Sequence, residues 1–164
     1  MITALNRFIS RSTNRCKPFY LLINKWTGFE WSEDCTAAFQ QLNEYLSRRP
    51  IMFSPAADEV LYAYIAVASH AVSLVLIRED NGLQKLVYYV SKSLHEAKIR
   101  YSPLEKAILV VVHASRKLPH YFQAHTVVVL IQLPLKSVLW TVDYTRRIAL
   151  WNTILGAFDI KYMP

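Results

Sequence analysis

The sequence predicts an α/β fold in which a mixed five-stranded sheet is flanked by helices and preceded by a small helical segment. Three observations predict it. Strand-like runs rich in Val, Ile, Leu and Tyr follow one another from residue 61 to residue 90, an Asn81-Gly82 turn separates two of them, and a strongly capped helix begins after Ser102. Strands joined by short turns form an antiparallel meander, and two later strands extend the sheet.

The first part of the chain predicts the small helical segment. Residues 2–10 are expected to form a short helix, and 11–17 a polar basic connector that Pro18 closes. Residues 33–47 carry apolar side chains at helical spacing after a Ser32 N-cap. An N-cap followed by this spacing indicates an amphipathic helix.

A change of pattern within residues 50–59 favours a domain boundary. Prolines and acids interrupt the chain there, and strand-like runs follow instead of helical ones. We therefore expect one unit over 1–57 and a second over 58–164.

The uncharged run 60–77 is about as long as the shortest membrane span. Ser69 and His70 near its middle, and the β-branched and aromatic residues around them, favour two buried strands joined by a tight turn. A second uncharged run, 118–135, holds prolines and histidines, so no membrane role is expected. The predicted meander strands are 61–67, 71–79 and 84–90.

The helix after the meander has a complete start signal. Ser102 is the N-cap, Pro103 occupies the first helical position, and Glu105 stands where a capping box requires it, so a helix is expected to run to about Lys117. The later elements are expected at 126–131 and 158–163 for the strands, and at 134–140 and 146–155 for the helices.

The charge of the chain is concentrated at its start. The net charge is +7; residues 1–29 hold five bases and no acid, and the other 14 bases face 12 acids. A basic arm of Arg7, Arg11, Arg15 and Lys17 on a near-neutral body suits a polyanionic partner, most simply nucleic acid, although a solvated end without a partner has the same composition.

The two cysteines, Cys16 and Cys35, form no CxxC motif and no zinc-like cluster. Reduced thiols in the cytoplasm or nucleus are the simplest interpretation. Basic residues interrupt the first apolar stretch before a signal-peptide core could form, so secretion is not expected.

Several segments, taken together, resemble one known family. They are similar to the end of the reverse transcriptase and the RNase H-like region in polyproteins of gypsy-class LTR retrotransposons, especially plant elements. The resemblance covers nearly the whole chain. The segments that carry it are ALNRFISRSTNRCKPFYLL at 4–22, FEWSEDCTAAFQQLNEYLSRRPIM at 29–52, LYAYIAVASHAVSLVLIRED at 61–80, LVYYVSKSLHEAKIRYSPLEKAIL at 86–109, HYFQAHTVVVL at 120–130 and FDIKYMP at 158–164.

The resemblance implies a reaction, a cofactor and a partner. RNase H enzymes cut the RNA strand of an RNA–DNA hybrid with two Mg²⁺ ions, which lie roughly 4 Å apart in two-metal sites. Mg²⁺ is a hard cation that carboxylates hold. The family supplies them from the first strand, the long helix, the end of the fourth strand and a group beyond the fifth strand.

In this chain the implied ligand positions hold no carboxylate. The first-strand Asp falls at Ala66, the helix Glu at Ala107, and the fourth-strand Asp at Gln132, or at Ile131 with a shift of one residue. The fourth group and the family's last helix are expected beyond Pro164. No Mg²⁺ is therefore expected to bind here, and the chain is predicted to be catalytically degenerate.

Three hypotheses about function stay open at this stage. The chain is an inactive structural and nucleic-acid-binding module within a polyprotein, with weak, sequence-independent binding; or an active hybrid ribonuclease that uses displaced acids; or a non-functional element fragment. Glu105 is the nearest displaced acid, but it points about 200° away from residue 107 on a helix. The other candidates are Asp58 and Glu59, which are expected to be solvated loop acids at the start of the first strand, and Glu79, Asp80, Asp143 and Asp159.

Overall fold

The computed structural model describes residues 9–10, 12–23, 30–47, 52–132 and 146–163. Within these ranges the first helices are α1 (Ser12–Arg15), α2 (Lys17–Ile23) and α3 (Glu33–Ser47). Next come the strands β1 (Leu61–Val67), β2 (Ala71–Asp80) and β3 (Leu83–Ser93) and a 3₁₀ helix (Glu96–Arg100). The remaining elements are α4 (Pro103–Lys117), α5 (Pro119–Ala124), β4 (Val127–Leu130), α6 (Arg146–Leu155) and β5 (Ile160–Met163).

The five strands form one mixed sheet, as the sequence predicts. Their spatial order is β3-β2-β1-β4-β5. β1, β2 and β3 pair antiparallel, whereas β4 pairs parallel with both β1 and β5. The predicted Asn-Gly turn joins β2 to β3, and both residues have positive φ, 52° at Asn81 and 77° at Gly82. Asn and Gly tolerate this conformation better than other residues, so the turn fixes the hairpin.

The main hydrophobic core lies between the sheet and the helix α4. α4 packs against the central strands, and α6 packs against α4. The core holds Leu74 and Leu76 from the sheet, Ile108 and Val111 from α4, and Trp151 from α6. α4 is apolar over most of its surface because it is covered by the sheet on one side and by α6 on another.

A second, smaller hydrophobic cluster joins the first three helices. It contains Ile9, Cys16, Phe19, Cys35 and Leu42, and both cysteines are buried free thiols. The first helices contact the sheet at its β3 edge, where the Thr13 Oγ1 and Ser91 Oγ hydroxyls are hydrogen-bonded at 2.8 Å.

The prediction of an irregular connector at 11–17 is wrong. Ser12–Arg15 and Lys17–Ile23 are helical, and Pro18 lies in the first turn of α2 rather than at the end of a loop. Proline is tolerated there because the N–H groups of a first helical turn have no intrahelical partner. Burial of Phe19 stabilises this arrangement. Of the predicted helix 2–10, only residues 9 and 10 are described, and they form a bend and a turn.

Other boundaries differ more modestly. The helix at 33–47 is confirmed, and β3 is longer than the predicted 84–90 at both ends. α5 was not predicted at all. The predicted helix at 134–140 lies outside the described residues.

The capping box of α4 is confirmed. The Ser102 Oγ accepts a hydrogen bond from the Glu105 backbone N–H at 3.2 Å, and the Glu105 carboxylate accepts one from the Ser102 N–H at 2.9 Å. These contacts satisfy two backbone N–H groups at the start of the longest core helix.

We expect Ser102→Ala to lower the free energy of unfolding by about 1 kcal/mol, the usual cost of losing an N-cap. Urea denaturation followed by circular dichroism would measure it. Ser102→Asp is the matched control, because aspartate caps equally well and should leave the stability nearly unchanged. Equal losses in both variants would show that Ser102 contributes through something other than its cap.

Candidate functional site

Ala66, the implied position of the first-strand carboxylate, lies near the carboxyl end of β1. It pairs with Ser73 of β2 and is exposed. Its neighbours Ile65 and Val67 pack against the core beneath α4. Because successive side chains of a strand point to opposite faces, Ala66 points away from α4.

Ala107, the implied position of the helix carboxylate, is fully buried in the core between α4 and the sheet. The preceding residue ties this part of α4 to the sheet, since the Lys106 Nζ donates a hydrogen bond to the Ser69 carbonyl at 2.9 Å in the β1–β2 turn. Ala107 therefore lies at the same end of the sheet as Ala66 but on the other face.

Gln132, the implied position of the fourth-strand carboxylate, is exposed just beyond the end of β4. Tyr64 of β1 pairs with Leu130 of β4, so the same register carried forward sets Gln132 beside Ala66. The alternative position, Ile131, donates its N–H to the Met163 carbonyl at 3.0 Å and packs against the core.

These three positions share one end of the sheet, although Ala66 and Ala107 lie on opposite faces. They present two methyl groups and one amide. Mg²⁺ prefers carboxylate oxygens, so this set of side chains does not fit the ion. Among the residues that the structure describes, no three His, Cys, Asp or Glu side chains lie close enough to hold a metal.

Glu105, the acid nearest to the implied helix position, has structural partners. Besides capping α4, its carboxylate accepts a hydrogen bond from the Arg147 guanidinium of α6 at 2.7 Å. The Ser102 N–H and the Arg147 guanidinium hold the pKa of Glu105 below its usual value, although burial opposes them as the largest single influence. The predicted capping role is confirmed, and the same carboxylate joins α4 to α6.

Three of the remaining acids, Glu59, Asp80 and Asp159, have partners in the fold. The expectation that Glu59 is a solvated loop acid is wrong, because it pairs with Arg78 at 2.9 Å and accepts from the Ala56 N–H at 2.8 Å. Asp80 pairs with Lys85, whose hydrogen bond lowers the pKa of that carboxyl. Asp159 accepts a hydrogen bond from Thr126. Asp58 and Glu79 are exposed, and Asp143 lies outside the described residues.

A groove of about 840 Å³ lies between the first helices and the sheet. We call it the junction groove. α1, α2, the β1–β2 turn, the end of β3, the 3₁₀ helix and α4 all contribute to its wall. Its basic members are Lys17, Lys92, Lys98, Lys117 and the histidines His70, His95 and His113.

The junction groove is strongly positive. Its described lining residues include four lysines and neither Asp nor Glu. Burial, with the nearby charge of Lys98, lowers the pKa of Lys92. Burial is also the largest cause that lowers the pKa of His113 to about 4, and the positive charges of Lys92 and Lys117 are the next. His113 is therefore neutral at pH 7, as expected for a packed histidine.

The two described members of the predicted basic arm, Arg15 and Lys17, lie in different surroundings. Arg15 is half-buried, donates to the Ser10 carbonyl at 3.2 Å and lies 4.6 Å from the centre of the Tyr45 ring. Lys17 is exposed and lines the junction groove. Arg7 and Arg11 lie outside the described residues.

Sequence reasoning missed the other groove residues. Lys92, Lys98 and Lys117 are spread over 26 positions of the chain, and no run of more than two consecutive bases marks them. Their convergence depends on the packing of α4 and the end of β3 against the first helices.

Comparison with known families identifies the domain. The model of the RNase H-like domain found in reverse transcriptase matches residues 31–129, more than half of the chain. The chain belongs to this family. The match covers α3, the meander, α4 and most of β4.

Curated relatives place this RNase H-like domain among retrotransposon polyproteins. It is 23% identical over 136 residues to the retrovirus-related Pol polyprotein from transposon opus of Drosophila melanogaster, covering 80% of this chain and 14% of the relative. It is 20% identical over 171 residues to the transposon Tf2-3 polyprotein of Schizosaccharomyces pombe, covering 99% of this chain and 13% of the relative. The chain thus spans about one-seventh of these polyproteins.

Solved structures share the fold over almost the whole RNase H-like chain. The foamy viral protease-reverse transcriptase dRH in complex with double-stranded DNA matches 99% of this chain and 30% of its own, with a TM-score of 0.78 and 17% identity. The foamy viral enzyme in complex with an RNA/DNA hybrid matches 98% of this chain and 23% of its own, with a TM-score of 0.77 and 18% identity. In the described part of the chain, no helix combines the length and the apolar character needed to cross a membrane.

Proposed function

We propose that this RNase H-like domain is catalytically silent and serves a retrotransposon polyprotein as a structural and nucleic-acid-binding module. The observation that carries the proposal is the chemistry of three positions, Ala66, Ala107 and Gln132, where the family resemblance implies metal-binding carboxylates. Without negative oxygens there, the domain cannot gather two Mg²⁺ ions, and two-metal hydrolysis loses its main electrostatic stabilisation.

The structural role of the nearest acid supports the silent state. To bind a metal, Glu105 would have to leave Arg147 and the cap of α4. Asp80 pairs with Lys85 and lies at the far end of β2 from Ala66. Breaking such contacts costs stability at the same time as it exposes a cation site.

We expect no cleavage of an RNA–DNA hybrid by the purified chain in either Mg²⁺ or Mn²⁺. The assay follows a labelled RNA strand of about 18 nucleotides on a denaturing gel, with and without excess chelator. A variant with Glu105→Gln controls for contaminating nuclease, because contamination would cut equally in both preparations and glutamine can keep the capping box. Chelator-sensitive cleavage that the variant lacks would establish the alternative, an active ribonuclease that uses displaced acids.

The second part of the proposal is that the domain binds nucleic acid. Its support is the excess of basic residues and the junction groove, whose described lining holds four lysines and no acid. Binding of this kind is electrostatic, weak and largely independent of sequence, and each neutralised phosphate contributes about 0.9 to the salt slope of a duplex. Filter binding of an RNA–DNA hybrid and of duplex DNA over a salt series should give a salt slope that corresponds to only a few neutralised phosphates. A chain that binds neither would instead fit a non-functional fragment.

The predicted basic arm is tested by one triple variant, which combines Arg7→Gln, Arg11→Gln and Arg15→Gln. We expect a smaller salt slope, although Arg15 contributes little because it is held against Tyr45. An unchanged slope would remove Arg7 and Arg11 from the binding surface.

The proposal also covers the element from which the chain comes, its two units, its partners and its location. We assign the chain to a gypsy-class element of plant type, on the segments quoted above, with a unit over 1–57 from the end of the reverse transcriptase and the RNase H-like domain over 58–164. The two separate hydrophobic clusters support this division. Its partners are then nucleic acid and the rest of the polyprotein, in the cytoplasm or nucleus, where the buried thiols Cys16 and Cys35 stay reduced.

A further inference from the structure

We propose that the junction groove binds consecutive phosphates of a nucleic-acid backbone, with Lys92 and Lys117 as its principal contacts. The proposal rests on the nucleic-acid-binding function above and assigns it to a surface other than the predicted arm. Of the two arm residues that the structure describes, Arg15 and Lys17, Lys17 lines the groove.

The arrangement of charge in the junction groove fits a chain of phosphates. Lys17 comes from α2, Lys92 from β3, Lys98 from the 3₁₀ helix and Lys117 from the end of α4, so the ammonium groups approach one cleft from four elements. No described lining residue is an acid that would neutralise them. A cleft lined by charges of one sign concentrates the field and attracts counter-ions.

The shape and the other lining groups fit a polymer better than a single ion. A volume of about 840 Å³ far exceeds the space of one phosphate group and lies within the usual range of ligand sites, about 300–1,000 Å³. Ser69, Ser93 and Thr13 offer hydroxyls along the wall, and Tyr20 and Ile99 offer apolar surface. Hydroxyls and lysines bind phosphate oxygens in nucleic-acid complexes, and apolar surface accommodates sugars and bases.

The protonation of His113 can be used to detect a phosphate bound in the junction groove. It lies half-buried in the wall, and the charges that oppose its protonation are Lys92, Lys98, Lys117 and Arg116. Lys17 of α2 and the imidazoles of His70 and His95 line the same groove. A bound phosphate would neutralise part of this field, so protonation of His113 would become easier when the groove is filled.

The first experiment measures binding of a fluorescent RNA–DNA hybrid of about 18 base pairs over a salt series. Lys92→Gln with Lys117→Gln removes two charges from the groove, and Arg146→Gln with Lys161→Gln removes two exposed charges from outside it. We expect the groove variant to bind about tenfold more weakly at low salt and to lose about 1.8 from the salt slope, or about 0.9 per phosphate. The control variant should change the slope by less than half as much.

The second experiment titrates the five histidines by NMR in the full chain, with and without the hybrid, and His113→Gln identifies the His113 signal. We expect the hybrid to raise the His113 midpoint by at least half a pH unit in the wild type and to leave it unmoved in the groove variant. Thermal melting of both double variants verifies that each is folded; removing unpaired lysines from the groove should not lower the melting temperature.

The outcomes separate the inference from the function on which it rests. Hybrid binding that is equally strong in the groove variant, with an unmoved His113, overturns the groove and leaves nucleic-acid binding standing. A wild-type chain that does not bind the hybrid at all overturns both. Loss of affinity in the groove and control variants alike would show a diffuse charge effect and would also overturn the groove assignment.

Discussion

Phe122→Ala is expected to lower the free energy of unfolding by about 4 kcal/mol, within the range for removing a buried phenylalanine. Phe122 is the largest of the fully buried side chains, with 1% of its surface exposed, and its ring packs edge-on against Phe158 at 5.8 Å between centroids. The substitution removes this ring contact and leaves a cavity between α5 and the approach to β5. Since small domains are stable by only about 5–15 kcal/mol, much of the folded population should be lost.

The measurement is urea or thermal denaturation of the variant beside the wild type. Leu150→Ala is the matched control, because Leu150 is 60% exposed on α6 and its truncation should change stability by less than about 0.5 kcal/mol. A loss below 1 kcal/mol in Phe122→Ala would mean that α5 does not pack on the core as described.

Acidification from pH 6.5 to pH 4.5 is expected to destabilise the wild type, and His113 is the main reason. Its pKa in the fold is about 4, below the ordinary value of 6.5. Between these values the unfolded chain binds a proton that the folded chain does not, so the free energy of unfolding falls as the pH falls. The full loss is at most about 3 kcal/mol, because one pKa unit corresponds to about 1.4 kcal/mol and the side chain is only partly buried.

Urea denaturation at pH 6.5, 5.5 and 4.5 would measure this loss. His113→Gln should flatten the dependence, whereas His95→Gln, at an exposed position, should retain it. Asp80 and Glu105 have pKa values below their usual range, so they act mainly below this window. An equal pH dependence in His113→Gln and the wild type would contradict the assignment.

The elements with strong local signals could be predicted from the sequence. Asn81-Gly82 fixes a hairpin turn through positive φ, and Ser102 with Glu105 fixes the start of α4, so both boundaries were found within a residue or two. These features depend on residues a few positions apart. They are therefore largely independent of the tertiary structure.

The elements that depend on distant contacts could not be predicted in the same way. α5 has six residues, begins at Pro119 and carries no side-chain cap, so little in its own sequence favours a helix; burial of Phe122 against the core stabilises it. α1 and α2 are also short, with four and seven residues. Helices of this length are marginal without tertiary packing.

The candidate site likewise has positions that could be predicted from the sequence and features that could not. Ala66, Ala107 and Gln132 could be singled out by resemblance, because each stands close to a run of residues that resembles the family. That Ala66 and Ala107 lie on opposite faces of the sheet requires the register of β1 with β2 and the packing of α4. The junction groove requires all of its contributing elements at once, and no single segment indicates it.

The parallel pairing of β1 with β4 bears on how the chain emerges from the ribosome. Leu61 pairs with Val127, and β2, β3, α4 and α5 are all synthesised between them. During that interval one edge of the central strand has no neighbour, and its amides and carbonyls can pair with another nascent or misfolded chain. Translation that stalls before β4 should therefore yield a product prone to aggregate, even though the whole meander has already been made.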